Sequence, residues 1–226
     1  DERVARAIAG ALEVTLDVST SAKLAERPVP NMAAYDCYLR AIHSMWLWTS
    51  GGMAHAVDHL QRGLELAGDN ALLHGALAYV FYQHVNIGVE PIDEYRRRAR
   101  DSAESAFALD PEAPLAHLAM GLLVAWEHPR QGIRSLQRVL RTDPTNVEAL
   151  LWVAMVTGPA WRPEVGQTYA ARMRSLDPLH PMMGLVDGYL LVFAGRFQEA
   201  EQAVRRRLES ARDALHLWVL AMAVAQ

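Results

Sequence analysis

Apolar residues recur along most of this chain with the three-to-four-residue spacing of one helix face, and the helical stretches come in pairs. The pairs are punctuated by Asp110-Pro111, Asp143-Pro144 and Asp177-Pro178, whose prolines lie 33 and 34 residues apart. Each Asp-Pro closes one apolar, helix-periodic segment and opens the next. Proline stops a helix because it lacks the ladder N–H and drives the preceding residue out of the helical region. Aspartate in that position is expected to cap the following helix. A fixed period in the thirties marks a repeat architecture, so the pattern predicts an array of helical hairpins.

Small residues keep the same register. Ala56, Ala99, Gly132, Gly166 and Ala200 are expected to open the second helix of successive hairpins, the last three intervals being 33, 34 and 34 residues. Ala41, Ala78, Gly121, Ala154 and Gly188 fall in the middle of the first helices. Small side chains are required at both places if two antiparallel helices cross at close range. The segment Gly188-Tyr-Leu-Leu-Val-Phe-Ala-Gly-Arg-Phe-Gln-Glu-Ala200 is the clearest copy. In it, Gly195 is expected to break the first helix, Phe197 to staple the turn and Ala200 to open the second helix.

These hairpins resemble tetratricopeptide (TPR) repeats, with small residues at the crossings, a Gly-aromatic turn and a closing proline. The resemblance covers residues 31–226, as five hairpins and half of a sixth. It implies an all-α, right-handed α-solenoid. The second hairpin carries an insertion around Val85-Asn-Ile-Gly-Val-Glu-Pro91, and the third is one residue short near Glu127-His-Pro129. Residues 1–30 lie outside the period. Val4, Ile8, Ala11 and Leu12 share one face of a predicted helix, followed by a polar run and Arg27-Pro-Val-Pro30, which reads as a linker. Residues 1–9 with 31–40 resemble the junction in bacterial multidomain regulators, where a winged-helix, cyclase or kinase domain precedes TPRs. A start at Asp1 and an end within an apolar helix fit an excised piece of such a protein.

In TPR arrays the first helices line a concave binding surface. Carried over from that resemblance, the groove positions are Tyr35, Tyr38, Ile42, Met45 and Trp46 in the first hairpin, and Leu72, Tyr79 and Tyr82 in the second. The third supplies Leu118, Leu122 and Trp126, the fourth Leu151 and Met155, and the fifth Leu185, Tyr189, Val192 and Phe193. A stripe this apolar and aromatic is rarely left in water. A partner's helix or peptide can fill it, or a segment of the same protein such as residues 1–16, or the side chains are themselves hairpin core. No lysine or asparagine occupies these positions, which argues against capture of an acidic chaperone tail.

Composition narrows the function further. Half the residues are apolar and the net charge is -4, which gives no general reason to expect a nucleic-acid or anionic-membrane partner. Cys37 is the only cysteine, so no internal disulfide forms and a reducing, cytoplasmic setting is expected. No apolar run reaches the roughly 18 residues of a membrane span. The basic runs Arg96-Arg-Arg98 and Arg205-Arg-Arg207 spread around their helices beside acidic residues, as salt-bridged surface does.

Catalytic motifs are absent: there is no Gly-rich phosphate loop and no nucleophile elbow. His55 and His59 stand one turn apart with Asp58 beside them, a weak candidate for a metal pair. No cofactor is expected. The sequence therefore predicts a non-catalytic protein-interaction module whose partner is a protein, a peptide or a neighbouring domain. The alternative is self-association through the last helix, where Leu215, Trp218 and Met222 form an apolar face.

Overall fold

The computed structural model describes residues 28–160, 162–208 and 214–225, with eleven helices and no strand among them. In chain order these are α1 (Met32–Met45), α2 (Ser50–Ala67), α3 (Ala71–Asn86), α4 (Ile92–Leu109), α5 (Pro114–Ala125) and α6 (Pro129–Thr142). They continue as α7 (Val147–Thr157), α8 (Pro163–Leu176), α9 (Met183–Phe193), α10 (Phe197–Leu208) and α11 (Ala214–Val224). The helix expected within residues 1–16 and most of the linker lie outside the described residues. At the linker's end Val29 is buried, and the Pro28 carbonyl accepts a 2.8 Å hydrogen bond from the Asn70 side chain.

Sequence dictates the boundaries locally. Asn31, Thr49, Asn70 and Asn146 each accept backbone N–H bonds from the first turn of the helix they precede. Pro114, Pro129 and Pro163 sit in the first turn of α5, α6 and α8, where a missing N–H costs nothing. Gly195 ends α9 with φ +71°, a conformation that favours glycine. The Asp-Pro aspartates do something other than expected. Asp110, Asp143 and Asp177 are the C-caps of α4, α6 and α8, and their carboxylates accept the N–H two residues on. Held extended by the following proline, they form turns too early in the chain to reach the next helix start.

Each odd-numbered helix packs antiparallel on the even-numbered helix that follows, and each even helix packs on the next odd one. The odd helices from α1 to α11 also pack on one another in series, whereas the even helices stand further apart and meet through long side chains, as where Gln137 Nε2 on α6 donates a 3.4 Å hydrogen bond to the Tyr169 hydroxyl on α8. One side of the stack is therefore shorter than the other, and the array curves with its first helices inside. Composition follows this placement. α3, α5, α7 and α9 bury residues around most of their circumference, while α6 buries only Gly132, Leu136 and Val139.

The small-residue register marks the crossings. A Cβ at Gly132 would strike Ala125 and lie 2.9 Å from the Gly121 carbonyl, and one at Gly166 would lie 2.9 Å from the Ala154 carbonyl. A Cβ at Gly188 would lie 2.5 Å from Val204 and face the Ala200 carbonyl. These small residues do not begin the second helices. Gly132 and Ala200 lie three residues inside α6 and α10, because the crossing point falls after the first turn.

Candidate functional site

Curvature brings first helices of non-adjacent hairpins together inside the coil. The Tyr79 hydroxyl on α3 donates a 2.7 Å hydrogen bond to Glu148 Oε2 on α7 and accepts one of 2.5 Å from Trp152 Nε1. The Tyr82 hydroxyl accepts a 3.0 Å bond from Trp126 Nε1, and its ring meets Trp152 edge-on at 5.8 Å. Further out, Trp46 at the end of α1 packs edge-on against His180 in the turn between α8 and α9, with ring centroids 5.1 Å apart. Tyr35 and Tyr38 stack on each other along α1 at 5.9 Å.

Burial sets the electrostatics of this interior. Glu148 is mostly withdrawn from water, which pushes its carboxyl up to about 7 against the lowering effect of the Tyr79 hydrogen bond. Burial, then the proximity of Tyr35 and Glu148, pushes the Tyr38 hydroxyl up to about 12. Burial likewise raises Tyr79, Tyr82 and Tyr189, and it lowers His180. All these tyrosines are neutral near neutral pH.

The groove residues read from the register sort into two groups. Met45, Tyr79, Tyr82, Leu118, Leu122, Leu151, Met155, Leu185, Tyr189 and Val192 are buried. They are packed among the first helices rather than laid open as a stripe. Tyr35, Tyr38, Ile42, Trp46, Leu72 and Phe193 are half-buried, and Trp126 is 45% exposed.

What stays open is a concavity of about 470 Å³. Trp152, Met155, Leu185 and Tyr189 form its buried floor, Met182, Pro159 and Trp48 its sides, and Asn86, Trp126 and Trp218 its rim. Four of the chain's six tryptophans converge there. Sequence reasoning missed Glu148, Trp152 and Trp48. Glu148 was findable, since it precedes Leu151 by three residues and so occupies the first groove slot of its helix. Trp48 sits in the turn after α1, with φ +52°, where no helical register exists to assign it.

Three other expectations fall elsewhere. Trp218 lies at the rim and packs on Tyr189 with centroids 5.6 Å apart, and Met222 is half-buried. Leu215 falls outside the described side chains. His55 is exposed and His59 half-buried on α2, and no group of three or more His, Cys, Asp or Glu suited to a metal occurs among the described residues. Within the first basic run, Arg97 pairs with Glu94 and Asp101, and Arg98 lies 4.2 Å over the Phe81 ring. No described helix is long and apolar enough to cross a membrane.

Solved structures with the same arrangement of hairpins decide the architecture. A thermophilic TPR protein from Thermus thermophilus superposes with a TM-score of 0.62 at 16% identity, covering 86% of this chain and 100% of that one. The fold is a TPR solenoid. A tetratricopeptide repeat protein from Parabacteroides merdae is similar with a TM-score of 0.53 at 14% identity, covering 84% of this chain and 73% of that chain. No family model and no curated protein matches the sequence. The TPR likeness is thus carried by backbone geometry and by the crossing residues.

Proposed function

We propose that this TPR solenoid is a non-catalytic interaction module that binds a peptide or a partner domain at the mouth of its concave face. The observation that carries this reading is Trp126, a large aromatic 45% exposed at the rim and anchored by its indole N–H to the buried Tyr82. An aromatic held rigidly at the edge of an apolar concavity has the character of an interface anchor, because little side-chain entropy is lost when a partner covers it. The half-buried Tyr35, Tyr38 and Trp46 extend the same face along the first hairpin. The carboxyl of this interior, Glu148, is engaged by the Tyr79 hydroxyl rather than presented at the open mouth.

The resemblance of residues 1–9 and 31–40 to regulator junctions supports a sensory or scaffolding role in a bacterial cytoplasmic regulator. The test is selection of peptides from a displayed random library on the immobilised protein, followed by affinity measurement. Trp126→Ala should weaken the selected binders about 30-fold, the size of an anchor residue worth roughly 2 kcal/mol. Equal affinity for Trp126→Ala and for Tyr35→Ala would remove the concave face as the site.

Self-association through α11 is a second reading, favoured by Leu217 and Val224, which are 52% and 57% exposed on that helix. Light scattering across a concentration series checks it, and a monomer at the highest concentration ends it.

A further inference from the structure

The helices that line the inside of the coil are almost free of charge. Among the described residues α1, α3, α5, α7, α9 and α11 hold only four Asp, Glu, Lys or Arg side chains: Asp36, Arg40, Glu148 and Asp187. Arg40 is bound to Asp36 at 2.7 Å, and Asp187 to Arg174. Glu148 alone of the four has no ion pair among the described residues. Its Oε2 accepts from the Tyr79 hydroxyl, while Oε1 accepts nothing from a described residue. No cation lowers the carboxyl, which burial raises against the Tyr79 hydrogen bond alone. Arg96, whose charge reaches Tyr82, lies 3.9 Å from Glu127 instead. The Glu148 side chain is nevertheless only half-buried, so an incoming group can reach it. It also stands in the first turn of α7, where the positive end of the helix favours an anion. A glutamine would serve Tyr79 as well without the charge. A carboxylate drawn out of water with no counter-ion is costly, and such perturbed groups cluster at functional sites.

We propose that Glu148 is the counter-ion for a cationic side chain, lysine or arginine, of the peptide bound on the concave face. The proposal rests on the interaction reading above and names what that partner carries. Tyr35 and Tyr38, half-buried and stacked 5.9 Å apart on α1, stand beside the carboxyl, close enough for the Glu148 charge to act on the Tyr38 hydroxyl. Tyrosine ring faces attract cations as well. Tyr79, which holds Glu148, and Tyr82, which holds the Trp126 anchor, are three residues apart on α3. The two therefore lie about 5 Å apart along the helix axis. The long stem of a lysine or arginine crosses that distance over apolar wall and brings its charged end to Oε1. An acidic side chain would meet like charge there. An apolar one would strip water from Oε1 and give nothing in return.

The test needs no selected peptide. N-acetyl-arginine amide and N-acetyl-lysine amide are titrated by ligand-observed NMR at pH 8, above the carboxyl's value of about 7, with N-acetyl-citrulline amide as the neutral shape match. At least one cation should bind saturably and about tenfold more tightly than citrulline, the size of one charge-assisted hydrogen bond. The lysine and arginine arms show which of the two the site prefers. Glu148→Gln keeps an acceptor for Tyr79 and should erase the preference for charge. Tyr38→Leu keeps the carboxylate and should weaken the cation about threefold, with circular dichroism confirming the fold of both variants. No saturation by either cation at tens of millimolar, equal binding of citrulline, or an unchanged preference in Glu148→Gln overturns the assignment. Library binders that lack a basic residue and ignore Glu148→Gln would remove this proposal and leave the interaction reading standing. A preference for the cations that depends on Glu148, with no peptide captured from the library, would do the reverse.

Discussion

Tyr79 and Glu148 lie 69 residues apart, on first helices of hairpins two steps removed, and meet through a 2.7 Å hydrogen bond. The Tyr79 hydroxyl is the hinge of a three-member chain, since it also accepts from Trp152. Tyr79→Phe removes both bonds with almost no change of shape. Leaving a buried indole donor and a carboxylate unserved should cost about 1–3 kcal/mol, read as a lower urea midpoint at unchanged slope. A midpoint equal to wild type would show that the chain adds no stability.

Glu148 makes the fold sensitive to pH. Its carboxyl is pushed up to about 7 from an ordinary value of 4.5, so the folded state holds the proton more tightly than the unfolded chain does. The associated stability is fully present below about pH 4.5 and is lost as pH rises through 7. Tyr38, at about 12, contributes nothing in that window. Glu148→Gln should abolish the decline between about pH 4.5 and 7 and raise stability above pH 7 by roughly 1–3 kcal/mol. Thermal melts across the range decide it, and a parallel slope in the variant would assign the sensitivity to other groups.

Two glycines with different surroundings test the crossing geometry. Gly132→Ala places a methyl against Ala125 and the Gly121 carbonyl, so α5 and α6 must move apart at a cost of about 1–3 kcal/mol. Gly51→Ala in the first turns of α2 meets nothing within 4 Å and should instead stabilise by about 0.5–1 kcal/mol, as helix propensity dictates. Denaturant unfolding of the pair compares them. Equal effects would mean that close approach is not what requires glycine at position 132.

The repeat was legible because it rests on local physics. A crossing that admits no Cβ demands Gly132, Gly166 and Gly188 whatever the rest of the chain does, and a period of small residues is visible without a structure. The surface assignment was only partly legible. Register shows which side of a helix faces inward but not how tightly the coil winds, and winding determines that Leu118, Leu122 and Leu151 are covered. The contacts that set the winding, Tyr79 with Glu148 and Trp46 with His180, join residues 69 and 134 positions apart, and no periodicity encodes them. Capping by the Asp-Pro aspartates failed for a smaller reason. The proline they precede commits their side chains to the turn.

The Trp46–His180 contact ties the first hairpin to the turn that follows the fourth. In an open solenoid each hairpin answers only to its neighbours, so the array can fray from an end one unit at a time. A contact spanning three hairpins couples the unfolding of the first to the integrity of the fifth. Cooperativity here is a property of the coil's closure more than of its repeats.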